Sequence, residues 1–151
     1  MAEAVIAASM HNPASARPDI PLIEEYRGAS YKSLVLCCLE SATGEPARVT
    51  GKNRIEFGGK FLPVDRQNVH YAMLEPLENL QVISFASLVS GRVSPEAIAG
   101  HVVIIGWDSP RTPTLPTPFG PMRIHRLFVQ CLAATWRALS PISPQTPPAL
   151  P

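Results

Sequence analysis

The sequence predicts an α/β domain: one layered unit with a mixed β-sheet that contains a β-hairpin, a central apolar strand and covering helices. Three stretches carry this reading. "RIEFGGKFLPV" alternates polar and apolar residues on either side of Gly58-Gly59, the pattern of a hairpin with a positive-φ turn. "HVVIIG", from His101 to Gly106, is apolar on both faces, as expected of a strand covered on both sides. Ile124, Leu127, Phe128, Cys131, Leu132, Trp136 and Leu139 repeat at three- and four-residue intervals, the rhythm of an amphipathic helix, with Thr135 the one polar member of that face.

Taken in order, residues 1–17 read as a flexible lead-in of small residues broken by Pro13. "IPLI" suits an edge strand because its proline cannot donate to a ladder, and "YRGAS" then turns the chain. "SYKSLVLCCLESATG" predicts a helix with Leu34, Val35, Cys38 and Leu39 on one face, Ser30 or Ser33 as N-cap and Gly44 as the stop. After the hairpin, "VHYAML" (Val69 to Leu74) is a further strand expected beside it. "SFASLVSG" reads as a short helix, and "SPEAIAG" as a helical turn opened by Ser94 and Pro95 and closed by Gly100. The domain thus spans 18–139, and the tail 140–151 is proline-rich and extended.

Composition excludes several classes. The 151 residues suit one domain, and 46% hydrophobic with 17% charged residues is a globular balance. A net charge of +1 leaves no basic field for nucleic acid or an anionic membrane. No apolar run approaches the ~20 residues a membrane helix needs, and Glu3 stands where a signal peptide wants a base. The chain is expected to be soluble as written, with its compartment open. The cysteines, Cys37, Cys38 and Cys131, form no CxxC pair and are expected as small buried hydrophobes. No cofactor and no metal are expected, since the four histidines are scattered without ligand spacing.

The chemistry-bearing stretch is the loop 106–121. It leaves the carboxyl end of the apolar run and reaches the start of the last helix, the place where open α/β sheets bind ligands. Gly106 would allow a sharp turn, Thr112, Thr114 and Thr117 offer hydroxyls, and Arg123, His125 and Arg126 bring charge to a helix N-terminus, where an anion is favoured. Asp108 is in the same loop. Trp107 suits either core burial or ligand stacking, whereas Trp136 is expected in the core. His125 is expected either to meet a ligand or to bond a nearby carbonyl and lock the loop, with its pKa lowered near a helix start. A small enzyme using this loop is the weaker alternative. Cys131 lies six residues after His125 on one helix, on a different face, and Asp65 or Asp108 with His125 forms no recognisable acid pair.

"IEFGGKFLPVD", "VHYAM", "SFASLVSGRVSPEAIAGHVVIIG", "TPFGP" and "RIH", in that order, resemble the C-terminal half of the second type of CHASE domain. "RPDIPLI" followed by "YKSLVLCCLE" is similar to the strand and helix that precede them in that family. The resemblance implies a sensory α/β domain of bacterial receptors that faces outside the cytoplasm, and makes His125 the helix-start histidine. The expected function is therefore non-enzymatic: a signal-input module that binds a small anionic ligand or a protein partner through Gly106, Trp107, Asp108, Thr117, Arg123 and His125. The alternative is a regulatory partner that dimerises or completes a longer sensor.

Overall fold

A computed structural model describes residues 13–51, 53–76 and 81–141. The expected lead-in and proline-rich tail therefore fall largely outside the described residues.

The mixed α/β class holds, built from helices and several small antiparallel sheets. Strand β1 (Asp19–Pro21) pairs with β7 (Val69–Tyr71), and β2 (Ile23–Tyr26) pairs with β3 (Ala29–Lys32). Arg27 and Gly28, at φ 52 and 77, supply the left-handed turn of that second hairpin. The largest sheet runs β10 (Ser140–Pro141), β6 (Lys60–Pro63), β5 (Arg54–Phe57), β4 (Arg48–Val49). Its central hairpin turns on Gly58-Gly59 in the register the alternation implies, with Ile55 opposite Leu62 and both fully buried.

Helix α1 (Leu34–Thr43) starts at Ser33, whose side chain accepts from the Leu36 amide at 3.3 Å, and ends at Gly44 in the left-handed region. Ser30, the other cap candidate, belongs to β3. The buried face of α1 is Val35, Leu36, Cys38 and Leu39. It packs against α3 (Ile124–Ala138), which buries Leu127, Phe128, Cys131 and Ala134. Each large aliphatic so enclosed contributes about 1.5–3 kcal/mol, so this helix pair over the hairpin is where the stability sits.

The sheet departs from the expected one in three ways. Every pairing among the described residues is antiparallel, so the sheet is not mixed in strand direction there. "VHYAML" does not lie beside the hairpin in a common ladder. The Asp65 carboxylate takes the Gln67 and Val69 amides at 2.8 and 2.9 Å, reverses the chain there, and delivers β7 to β1. Most consequentially, the apolar run 101–106 is not a central strand. No described strand pairs with it, and Val102, Val103 and Ile105 are exposed. Two-sided hydrophobicity makes a buried strand only if neighbours supply backbone partners and cover. Here β5 and β6 already occupy the middle of the sheet, and α1 and α3 close the core.

The short helices arrive where expected but bury nothing. Helix α2 (Phe85–Val89) is capped by Ser84 and leaves Phe85 and Val89 exposed, and Pro95–Ala97 forms one 3-10 turn. Cys37 is exposed, because it falls between the buried positions of α1; Cys38 and Cys131 are buried. Trp136 is not a core residue either. It lies at the open end of α3, with the Lys60 ammonium 5.5 Å from its ring centre.

Candidate functional site

The loop 106–121 is built from two successive turns. In the first, the Thr112 hydroxyl donates to the Trp107 carbonyl at 3.0 Å and accepts from the Ser109 amide at 3.2 Å. Thr112 thereby closes a short loop over Ser109 and Pro110. In the second, β8 (Thr114–Leu115) pairs with β9 (Met122–Arg123). Thr117 sits in the connection, where its hydroxyl donates to the Gly120 carbonyl at 2.6 Å and accepts from the Phe119 amide at 3.2 Å. The hydroxyl is thus engaged within its own turn.

The two turns bring four of the six expected site residues together. The His125 side chain, at the first turn of α3, lies against the Gly106 backbone. A Cβ added at Gly106 would stand 2.5 Å from His125 Cγ and 2.8 Å from His125 Cβ and Cδ2. Glycine is required here for close approach and not for a positive φ, which distinguishes it from the turn expected at that position. Burial lowers the His125 pKa first, with Arg126 and Arg123 adding to the effect, all of which favour the neutral ring. Its cause is therefore enclosure and neighbouring charge. Among the described residues no carbonyl bonds the ring; steric contact with Gly106 does the locking.

Asp108 is clasped by both arginines. One carboxylate oxygen accepts from Arg123 Nη1, and the other accepts from Arg126 Nη2 at 3.0 Å. Arg126, expected with Arg123 and His125 to bring charge to this helix start, joins the clasp from three residues after Arg123 across the β9–α3 junction. The cluster carries two guanidinium groups against one carboxylate, and Arg123 Nε is enclosed without a partner. An anion arriving here must compete with Asp108, which already holds the arginine forks.

Trp107 falls between Gly106 and Asp108 and takes no part in either contact. It is 81% exposed, next to Ile105 at 75% and Val103 at 51%, while Ile104 packs against the core. The segment belongs to no described strand, is pinned at its carboxyl end by the Gly106–His125 contact and the Asp108–arginine clasp, and exposes Val102, Val103, Ile105 and Trp107.

The other catalytic candidates come apart. Cys131 is fully buried and burial pushes its thiol up to about 12, away from thiolate chemistry. Asp65 is held below the usual carboxylate range, first by the Val69 amide, and builds its own turn. No group of three His, Cys, Asp or Glu side chains suited to a metal ion occurs among the described residues, and none of their helices is long and apolar enough to cross a membrane.

No family model, curated protein or solved structure matches this chain.

Proposed function

We propose that the chain is a non-enzymatic binding module whose ligand is a protein, engaged by the exposed apolar segment 101–107. The carrying observation is that Val103, Ile105 and Trp107 are exposed in a segment outside any described strand, whose carboxyl end is fastened by the contacts of Gly106, Asp108, Arg123 and His125. An exposed apolar, β-branched segment held at one end and without a described strand partner is open to β-strand addition, in which main-chain groups supply affinity and alternate side chains supply specificity. The loop 106–121 is then the clamp that presents this segment. The resemblance to the second type of CHASE domain adds a sensory or regulatory context, with α3 as the element that carries the bound state.

The small-anion reading of the same loop is weaker, because the Asp108 carboxylate occupies the arginines an anion would need. An amide correlation spectrum separates the two. A short peptide of alternating valine and threonine, flanked by lysines for solubility, is titrated into the full chain, and inorganic phosphate into a second sample. Shifts on peptide addition at Val103, Ile105 and the Trp107 indole support the protein-binding reading. Phosphate shifts at Arg123, His125 and Arg126 with no response to peptide overturn it.

A further inference from the structure

We infer that His70 is an acid-sensitive latch between two sheets: when its neutral ring takes up a proton, the β1–β7 pair opens away from the four-stranded sheet. Among the described residues β1 and β7 pair only with each other, apart from the ladder of β10, β6, β5 and β4. His70, opposite Ile20 in that pair, is 3% exposed and bridges the two sheets, with Nδ1 2.8 Å from the Pro63 carbonyl at the end of β6. A carbonyl only accepts, so Nδ1 carries the proton of the neutral ring and Nε2 carries the lone pair. Nε2 is enclosed without a hydrogen-bond partner among the described residues. An enclosed lone pair costs little beside an enclosed imidazolium whose second N–H meets no acceptor.

The surrounding charges do not offset that cost. Burial opposes the proton first, and Arg17, in the segment before β1, adds to it. Asp65, in the connection from β6 to β7, engages its carboxylate with the Gln67 and Val69 amides and the Tyr71 hydroxyl. Asp19 stands opposite Tyr71, one register position away. On β5, Arg54 lies opposite Pro63 and is paired with Glu56. The protonated ring must therefore reach water, and separating the two sheets allows this without breaking a ladder between them. Opening uncovers Ile20 and Leu22 on one side of the pair and Ala72 and Leu74 on the other, all buried in the closed state. The Gly58-Gly59 hairpin and the α1–α3 contact keep their own partners.

Amide hydrogen exchange of the full chain between pH 7 and 5, read residue by residue and corrected for intrinsic exchange, tests the latch. The Leu22 amide, bonded to the Asn68 carbonyl at 3.0 Å, and the Leu74 amide, bonded to the Ala16 carbonyl at 3.0 Å, report on the pair. Two short strands cut off from the rest are not stable alone, so both amides exchange once the pair opens. Their opening should rise as pH falls below about 6.5, by up to about tenfold per pH unit for one proton. It should also depend on urea less steeply than exchange in the middle of α3, because only part of the chain opens. His70→Gln keeps an N–H donor and does not titrate, so it should remove the pH dependence at Leu22 and Leu74. In the wild-type chain the rise should follow the titration of the His70 ring, read from its carbon-bound proton shifts, which tests the latch even if the variant does not fold. Exchange that is flat with pH overturns the latch, as does a urea slope equal to that of α3. A pH dependence that persists in His70→Gln, or one that departs from the ring titration, overturns it equally.

Discussion

Replacing Gly106 with alanine inserts one carbon atom where the His125 ring already lies. The new Cβ would be 2.5 Å from Cγ and 2.8 Å from Cβ of His125, whereas carbon atoms in contact want about 3.5–4.0 Å. A displacement of about 1 Å is needed, and the crowded atoms are at the root of the side chain, so rotating the ring does not relieve the Cβ contact. Either the start of α3 or the segment 104–108 must move. Overpacking of this kind costs about 1–3 kcal/mol. In a domain of this size that lowers the melting temperature by roughly 2–4 °C per kcal/mol. The assay is thermal and urea unfolding of the four proteins in a double-mutant cycle with His125→Ala. Removing Cγ and the ring leaves the contact at His125 Cβ, so the second change restores part of the lost stability, with a coupling of about 1 kcal/mol. Strict additivity, or a Gly106→Ala protein as stable as wild type, would refute the close packing of loop on helix.

Three further outcomes follow from the same structure. His70 is buried and donates from Nδ1 to the Pro63 carbonyl at 2.8 Å, while its Nε2 is enclosed without a partner; burial holds its pKa below the ordinary value, and Arg17 adds to this. Its folded pKa lies below the unfolded value of about 6.5, so its contribution is complete above that pH and is lost as pH falls, by up to about 1.4 kcal/mol per pH unit for one proton. Urea midpoints between pH 7 and 5 should fall less steeply in His70→Gln than in wild type, and equal slopes would remove His70 from the account. A maleimide reagent at neutral pH should modify Cys37 rapidly and spare Cys38 and Cys131 until the chain unfolds, as peptide mapping will show. Ser33→Ala deletes the α1 cap and should cost about 1 kcal/mol in urea unfolding, with little change in the slope.

Much of the frame was legible because it is written in local rules. The Gly58-Gly59 hairpin, the Ser33 cap, the Gly44 stop and the Leu127, Phe128 and Cys131 face of α3 each follow from a few adjacent residues whose preferences leave little choice, whereas Ile124 and Trp136, expected on that face, are exposed. The site was legible in outline for the same reason: a loop from an apolar run to a helix start brings its ends near one another. What could not be read was which hydrogen-bond partners each segment would find. "HVVIIG" has the composition of a core strand, and composition does not tell whether the core has room for it. "VHYAML" was a strand in either case, and the Asp65 turn decided its neighbour.

By itself, then, the sequence determined the mixed α/β class, the helices α1 and α3, the Gly58-Gly59 hairpin with its register and the near-zero net charge, all from propensity, period and count. Only the tertiary structure decided that β5 and β6 take the centre of the sheet, that His125 closes on Gly106, that Asp108 draws in Arg126 as well as Arg123, and that Ile105 and Trp107 point outward. Those outcomes depend on competition between distant segments for the same backbone partners and the same buried volume, and no window of the sequence contains both competitors.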